Sequence, residues 1–200
     1  MSPSLVGLLQ ESVIKYPSLA ALKVVNPDGS QVVLTYAELY TAVRELGSGL
    51  ITVGLRAGQH LAIVCENHWR WLVTDLAVLG CGGVDVPLSV RMGDRELEYM
   101  LSHSECEIAV VESEAVLVRI AAMRRTLPNL RRIICMDLAG PRPRLEGDTG
   151  RVLVHPWDEV VKKGRARLAK GDRQFDLRAA AVTAADTATI VYTSGTSGRP

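Results

Sequence analysis

The residues best suited to chemistry stand together in Tyr192-Thr193-Ser194-Gly195-Thr196-Ser197-Gly198-Arg199-Pro200. Gly195 and Gly198 can take backbone angles closed to residues with a Cβ, so successive amide N–H groups can converge on phosphate oxygens. Thr193, Ser194, Thr196 and Ser197 add short hydroxyl donors that can also reach a metal-bound phosphate. The pattern reads as a nucleotide phosphate loop. It is not a Walker A loop, which requires G-x-x-x-x-G-K-[ST]: Gly195 and Gly198 are only three apart, and Pro200 sits where the second glycine belongs. The competing account is a Ser/Thr/Gly-rich surface turn with no chemical role. The segment Asp186 to Tyr192 leading into the loop favours phosphate binding.

Other reactive residue types carry weaker patterns. His103, Ser104 and Glu105 offer a base, a hydroxyl and a carboxylate, but adjacent helical residues point in different directions and cannot form a triad alone. His68, Trp69 and Trp71 fall at a predicted helix start, where a ligand wall is conceivable and packing is the favoured role. Lys162, Lys163, Arg165, Arg167, Lys170 and Arg173 form a basic stretch that could meet phosphopantetheine, an acidic carrier protein or lipid headgroups, against a solvated helix face as the simpler account. Cys65, Cys81, Cys106 and Cys135 are widely spaced in or beside apolar segments, and no C-x-x-C pair exists for zinc or redox work. Buried, reduced thiols are expected.

The elements that must position these residues alternate between helix and strand. A helix is predicted over Ser4 to Lys15, stopped by Pro17. Leu22 to Val25 and Gln31 to Leu34 read as a hairpin around Asn26-Pro27-Asp28-Gly29. Thr35 and Glu38 form a capping box for a helix whose apolar stripe runs through Leu39, Val43, Leu46, Leu50 and Val53, with Gly54 as its left-handed terminator. From His60 the order becomes βαβ: strand Leu61 to Cys65, a helix from near Asn67 to Gly80, and strand Val84 to Pro87. Parallel pairing follows from that order. A helix over Asp94 to Ser104, strand Glu107 to Val111, a helix over Ser113 to Thr126 and strand Arg132 to Met136 repeat the logic. A loop holding Gly140 to Gly150, a helix from Trp157 to Lys170 and a last strand from Ala188 to Tyr192 complete the reading. The glycine-rich loop then follows the carboxyl end of a strand, where open α/β sheets usually bind ligands.

Composition excludes several classes. The 200 residues are 48% hydrophobic, enough for a packed core and incompatible with a disordered chain. Lys and Arg total 23 against 22 Asp and Glu, a net charge of +1, so no global field recruits nucleic acid or an anionic membrane. No basic region followed by a sustained apolar core marks a secretory signal near Met1. The apolar stretch Trp71 to Val90 is broken by Asp75, Asp85 and Pro87, against the roughly 20 largely uninterrupted apolar residues of a transmembrane helix. A cytoplasmic location is expected, with room for peripheral membrane contact.

The terminal pattern resembles the adenylate-forming superfamily of acyl-CoA synthetases, luciferases and peptide-synthetase adenylation domains, in which Y-T-S-G-[ST]-[ST]-G-x-P is followed by lysine and glycine. Leu34-Thr35-Tyr36-Ala37-Glu38-Leu39 is similar to the family's L-T-Y-x-E-L segment. Gly82-Gly83-Val84-Asp85-Val86-Pro87-Leu88 resembles its G-A-x-x-V-P segment, where the glycines would let helix pack closely on sheet and Asp85 departs from the commonest residues. Cys65 to Trp71, Leu97 to Glu105 and Asp186 to Tyr192 look most like the long-chain acyl-CoA and acyl-carrier-protein synthetase branch. The resemblance implies an α/β fold: the N-terminal portion of the large domain, incomplete, built of βαβ units with a mainly parallel sheet over residues 1–200. It implies activation of a fatty acid by ATP with Mg2+ as acyl-AMP, then transfer to the thiol of CoA or of a carrier protein's phosphopantetheine. Thr193, Ser194, Gly195, Thr196, Ser197 and Gly198 would hold phosphate, and Tyr192 would anchor the loop. No catalytic residue or metal ligand is assigned within the chain.

The family's adenine-binding segment, ribose-binding aspartate, hinge and small C-terminal domain with its catalytic lysine are not found in residues 1–200. The resemblance therefore implies part of a longer ligase, inactive alone. An aryl or amino acid substrate, or an inert binding module derived from the family, remain open alternatives at this level.

Overall fold

In the computed structural model, residues 4–25, 28–66, 68–138 and 152–193 are described. In chain order the elements are α1 (Leu5–Lys15), β1 (Ala20–Val25), β2 (Gln31–Thr35), α2 (Tyr36–Thr52), β3 (His60–Val64), α3 (Trp69–Gly80), β4 (Val84–Leu88), α4 (Asp94–His103), β5 (Ile108–Ser113), α5 (Glu114–Ala122), β6 (Arg132–Asp137), β7 (Leu153–Pro156), α6 (Trp157–Ala169) and α7 (Gln174–Ala181). They form two compact units.

The first unit is helical, with α1, α2, α3, α6 and α7 beside the antiparallel β1–β2 hairpin. Its helix ends follow from side-chain and backbone chemistry. The Thr35 hydroxyl accepts from the Glu38 amide at 3.2 Å and Glu38 Oε2 accepts from the Thr35 amide at 2.8 Å, completing the expected capping box. At the other end of α2, Gly54 has φ 102 and the amides of Gly54 and Leu55 donate to the carbonyls of Ile51 and Leu50. This is a Schellman stop.

The same device ends α3, where Gly82 at φ 72 and Gly83 donate to Leu79 and Val78. Gly82 was expected to permit close packing, but a Cβ there would meet nothing nearer than 3.5 Å. The requirement is for a left-handed dihedral, not for space. Close approach belongs instead to Gly47 and Gly80, where a Cβ would overlap the ring of the buried Phe175, and to Gly164, where it would overlap the Glu45 carbonyl.

The second unit is a parallel sheet of order β4-β3-β5-β6-β7 with α4 and α5. Its core joins Ala62 and Val64 of β3, Val86 and Leu88 of β4, Ala109 and Val111 of β5, and Ile133 and Cys135 of β6 to Leu97, Met100, Leu117 and Ile120 of the helices. The alternate strand residues Leu61, Ile63, Ile108, Val110 and Ile134 are buried as well. These strands read as unbroken apolar runs, as parallel strands do.

Three expectations change. The predicted strand over 188–192 is an isolated parallel bridge between Thr189 and Asp85. The helix after β5 ends at Ala122, and residues 123–126 form turns. β7 and α7 were not anticipated, while the loop of residues 140–150 lies outside the described residues.

Candidate functional site

The segment leading to the candidate loop is docked on the edge of the sheet beside β4. The Asp85 amide donates to the Ala188 carbonyl at 3.1 Å, and the Ile190 amide donates to the Asp85 carbonyl at 2.9 Å. Thr189 Oγ1 donates to Asp85 Oδ2 at 3.2 Å, inside the sheet unit where Asp85 is only 2% exposed. A carboxylate at that position accepts from the docked segment, which is the use of the residue that departed from the family's common pattern. Because the bridge is parallel, the chain leaves in the direction of β4 toward its carboxyl end.

Ile190 and Tyr192 then pack against the apolar core of the unit. The Tyr192 hydroxyl lies 2.8 Å from His103 Nδ1 and 3.4 Å from the Met100 carbonyl. Burial pushes the Tyr192 phenol above its ordinary range, so it keeps its proton. Tyr192 is thus held against α4. Thr193 follows it with an exposed side chain. Ser194, Gly195, Thr196, Ser197 and Gly198 lie outside the described residues, so their geometry adds nothing to the reading of their types and spacing.

The loop does not depart from the place where strand order reverses, between β3 and β5. There the Glu66 amide donates to Glu112 Oε2 at 2.9 Å and Ser89 Oγ donates to Glu66 Oε1 at 2.9 Å. Two carboxylates suit a triphosphate poorly. Residues 187–200 contain no Asp or Glu, and the hydroxyls, glycines and Arg199 of that segment fit an anion better.

The remaining candidates resolve into structural roles. His103, Ser104 and Glu105 diverge as expected: His103 turns to Tyr192, Ser104 Oγ donates back to the Met100 carbonyl at 2.6 Å, and Glu105 takes φ 54. His68 caps α3 by accepting from the Arg70 amide at 3.2 Å, and Trp69 and Trp71 are half-buried. Of the basic stretch, Arg165 makes a two-pronged pair with Glu45 at 2.8 Å, and Arg167 contacts Asp172 and Gln174. Lys162, Lys163, Lys170 and Arg173 are exposed. All four cysteines are buried and free. Among the described residues no cluster of His, Cys, Asp or Glu could hold a metal, and no helix is long and apolar enough to cross a membrane.

Sequence reasoning missed Arg119. Its guanidinium donates to Asp94 Oδ1 at 2.5 Å, to the Val90 carbonyl at 2.8 Å and to the Met92 carbonyl, tying down the turn between β4 and α4. Its partners are 25 to 29 residues away, so no local pattern announces it.

The family model described as AMP-binding enzyme matches residues 9–200. The chain belongs to that family. It is 31% identical over 170 residues to a chloroplastic long-chain-fatty-acid–[acyl-carrier-protein] ligase of Arabidopsis thaliana, covering 84% of this chain and 23% of the relative. It is 30% identical over 197 residues to long chain acyl-CoA synthetase 4 of the same plant, covering 94% of this chain and 28% of the relative. The chain spans about a quarter of the length of these relatives. Among solved structures, the adenylation domain of a carboxylate reductase from Mycobacterium chelonae matches 81% of this chain and 29% of its own at TM-score 0.68 and 18% identity. At that identity the likeness shows the fold: this member of the family carries the α/β architecture of adenylate-forming enzymes.

Proposed function

We propose that this chain supplies the phosphate-binding part of an ATP-dependent carboxylate ligase whose acid is a long-chain fatty acid and whose acceptor is the thiol of CoA or of an acyl carrier protein. The family match over residues 9–200, with relatives named as long-chain fatty acid ligases, is the observation that carries the reading. The fit of the segment supports it, since hydroxyls and glycines without a carboxylate follow a tyrosine held against α4.

Bound ATP with Mg2+ would supply the electrophilic phosphorus that turns an unreactive carboxylate into a mixed anhydride. This chain's own contribution is positional. The amides around Gly195 and Gly198 and the hydroxyls of Thr193, Ser194, Thr196 and Ser197 would donate to the β and γ phosphates, holding the leaving pyrophosphate and offsetting charge as it departs. Asp85 and Tyr192 fix the segment from which that loop starts.

The test is acid-dependent ATP–pyrophosphate exchange by the full-length protein carrying this chain, with palmitate, acetate, benzoate and a mixture of amino acids. Exchange driven best by palmitate is expected. Exchange driven only by an amino acid or by benzoate overturns the fatty-acid assignment, and no exchange with any acid overturns the ligase reading.

A further inference from the structure

We propose that His103 is a positioning residue for the phosphate loop, holding Tyr192 by its hydroxyl and so fixing where the loop begins. The proposal rests on the ligase reading above and adds a residue 89 positions away from the segment it controls.

The geometry is that of a held side chain. His103 closes α4, whose Leu97, Met100 and Leu101 are buried in the sheet unit, so its backbone is fixed by the core. The Tyr99 ring stacks on the imidazole with centroids 5.4 Å apart and planes 24° apart. The Tyr192 ring meets the imidazole edge-on at 5.8 Å and 72°. His103, an exposed residue, thus meets both rings, with its Nδ1 2.8 Å from the Tyr192 oxygen.

The tautomer of His103 sets the direction of that bond. The phenol has one proton and lies within reach of His103 Nδ1, the Met100 carbonyl and the Ser104 side chain. The carbonyl can only accept. The contacts with Met100 and His103 are satisfied together when the phenol donates to Met100 and His103 donates from Nδ1 to the phenol. A phenol that donates to the imidazole instead forfeits the carbonyl. Thr193 is the next residue, so a fixed Tyr192 removes part of the conformational freedom that ATP binding must otherwise freeze.

The experiment uses His103→Ala, Tyr192→Phe, the double variant and His103→Asn in the full-length protein. Asparagine places an amide nitrogen at the same distance along the side chain as Nδ1, so it can restore the donor without the ring. The readouts are KM for ATP and for the acid in ATP–pyrophosphate exchange, with the thermal midpoint of each variant.

The expected result is a KM for ATP raised about five- to tenfold in His103→Ala and in Tyr192→Phe, the scale of one hydrogen bond. The acid KM should stay near wild type, the double variant should be no worse than either single one, and His103→Asn should recover most of the loss. An unchanged ATP KM in folded variants, additive losses, or losses that follow the thermal midpoint alone overturn the positioning role while leaving the ligase reading intact. A wild-type protein that exchanges with no acid overturns the ligase reading, and the positioning role falls with it.

Discussion

Desolvation pushes the thiols of Cys65, Cys81 and Cys106 up to about 12 and that of Cys135 up to about 11, so at neutral pH all four stay protonated. The thiolate is the reactive form. A thiol reagent at pH 7.5 should therefore label none of the four cysteines within minutes in the native protein and all four after unfolding; rapid native labelling would contradict their burial. A second residue-scale expectation concerns Gly195. A Val there restricts the backbone and crowds incoming phosphates. In the full-length enzyme, Gly195→Val should lower kcat/KM for ATP by about a hundredfold or more, near the ~3 kcal/mol cost of a lost oxyanion donor. Thermal unfolding of the same variant should shift by less than a core substitution does. Near-normal ATP kinetics in that folded variant would remove the loop from the site.

Among the elements, glycines separate two physical demands that look alike in sequence. Gly82 needs a left-handed dihedral, and Gly82→Ala should cost about 1 kcal/mol, or roughly 2–4 °C in thermal midpoint for a chain of this size. Gly164 needs room, and Gly164→Ala should cost about 1–3 kcal/mol because the α2 backbone at Glu45 cannot yield as a flexible side chain would. Equal and negligible shifts in the two variants would show that neither constraint holds. The α2 cap adds a pH dependence. Hydrogen bonds from the Thr35 amide and hydroxyl lower the Glu38 pKa, so this contribution is complete above the usual carboxylate range and is lost as pH falls through the lowered value. Gly54 was legible as a terminator because it follows an apolar stripe, whereas β7 and α7 were not. They span 4 and 8 residues, too few to show a period, and α7 is held by the buried Phe175 and by the Arg44–Asp176 pair at 2.7 Å.

At the scale of the whole molecule, stability is distributed unevenly. Leu61–Val64, Ile108–Val111 and Ile133–Met136 are buried residue by residue, whereas every residue of β1 and β2 is half-buried or exposed. Amide hydrogen exchange should be slowest in β3, β5 and β6 and fastest in the β1–β2 hairpin, since opening free energy follows burial and contact. Faster exchange in the sheet than in the hairpin would contradict that ordering. The same sheet sets the platform for the candidate loop, because Asp85 and Thr189 are brought together from 104 residues apart.

Residue order alone determined the family, the α/β class and the capping box at Thr35 and Glu38, because each rests on local types and spacing that nearby residues express by themselves. Tertiary structure decided what depends on distant partners. It turned the predicted strand over 188–192 into a bridge on the edge beside β4, made Asp85 the acceptor for that segment, and gave Arg119 the turn between β4 and α4. It also brought His103 to Tyr192, where sequence showed only neighbours on a helix. Helical and strand periods report which face is buried. They do not report what lies against it, and the hydrogen bonds of this site join residues that meet only once the sheet has formed.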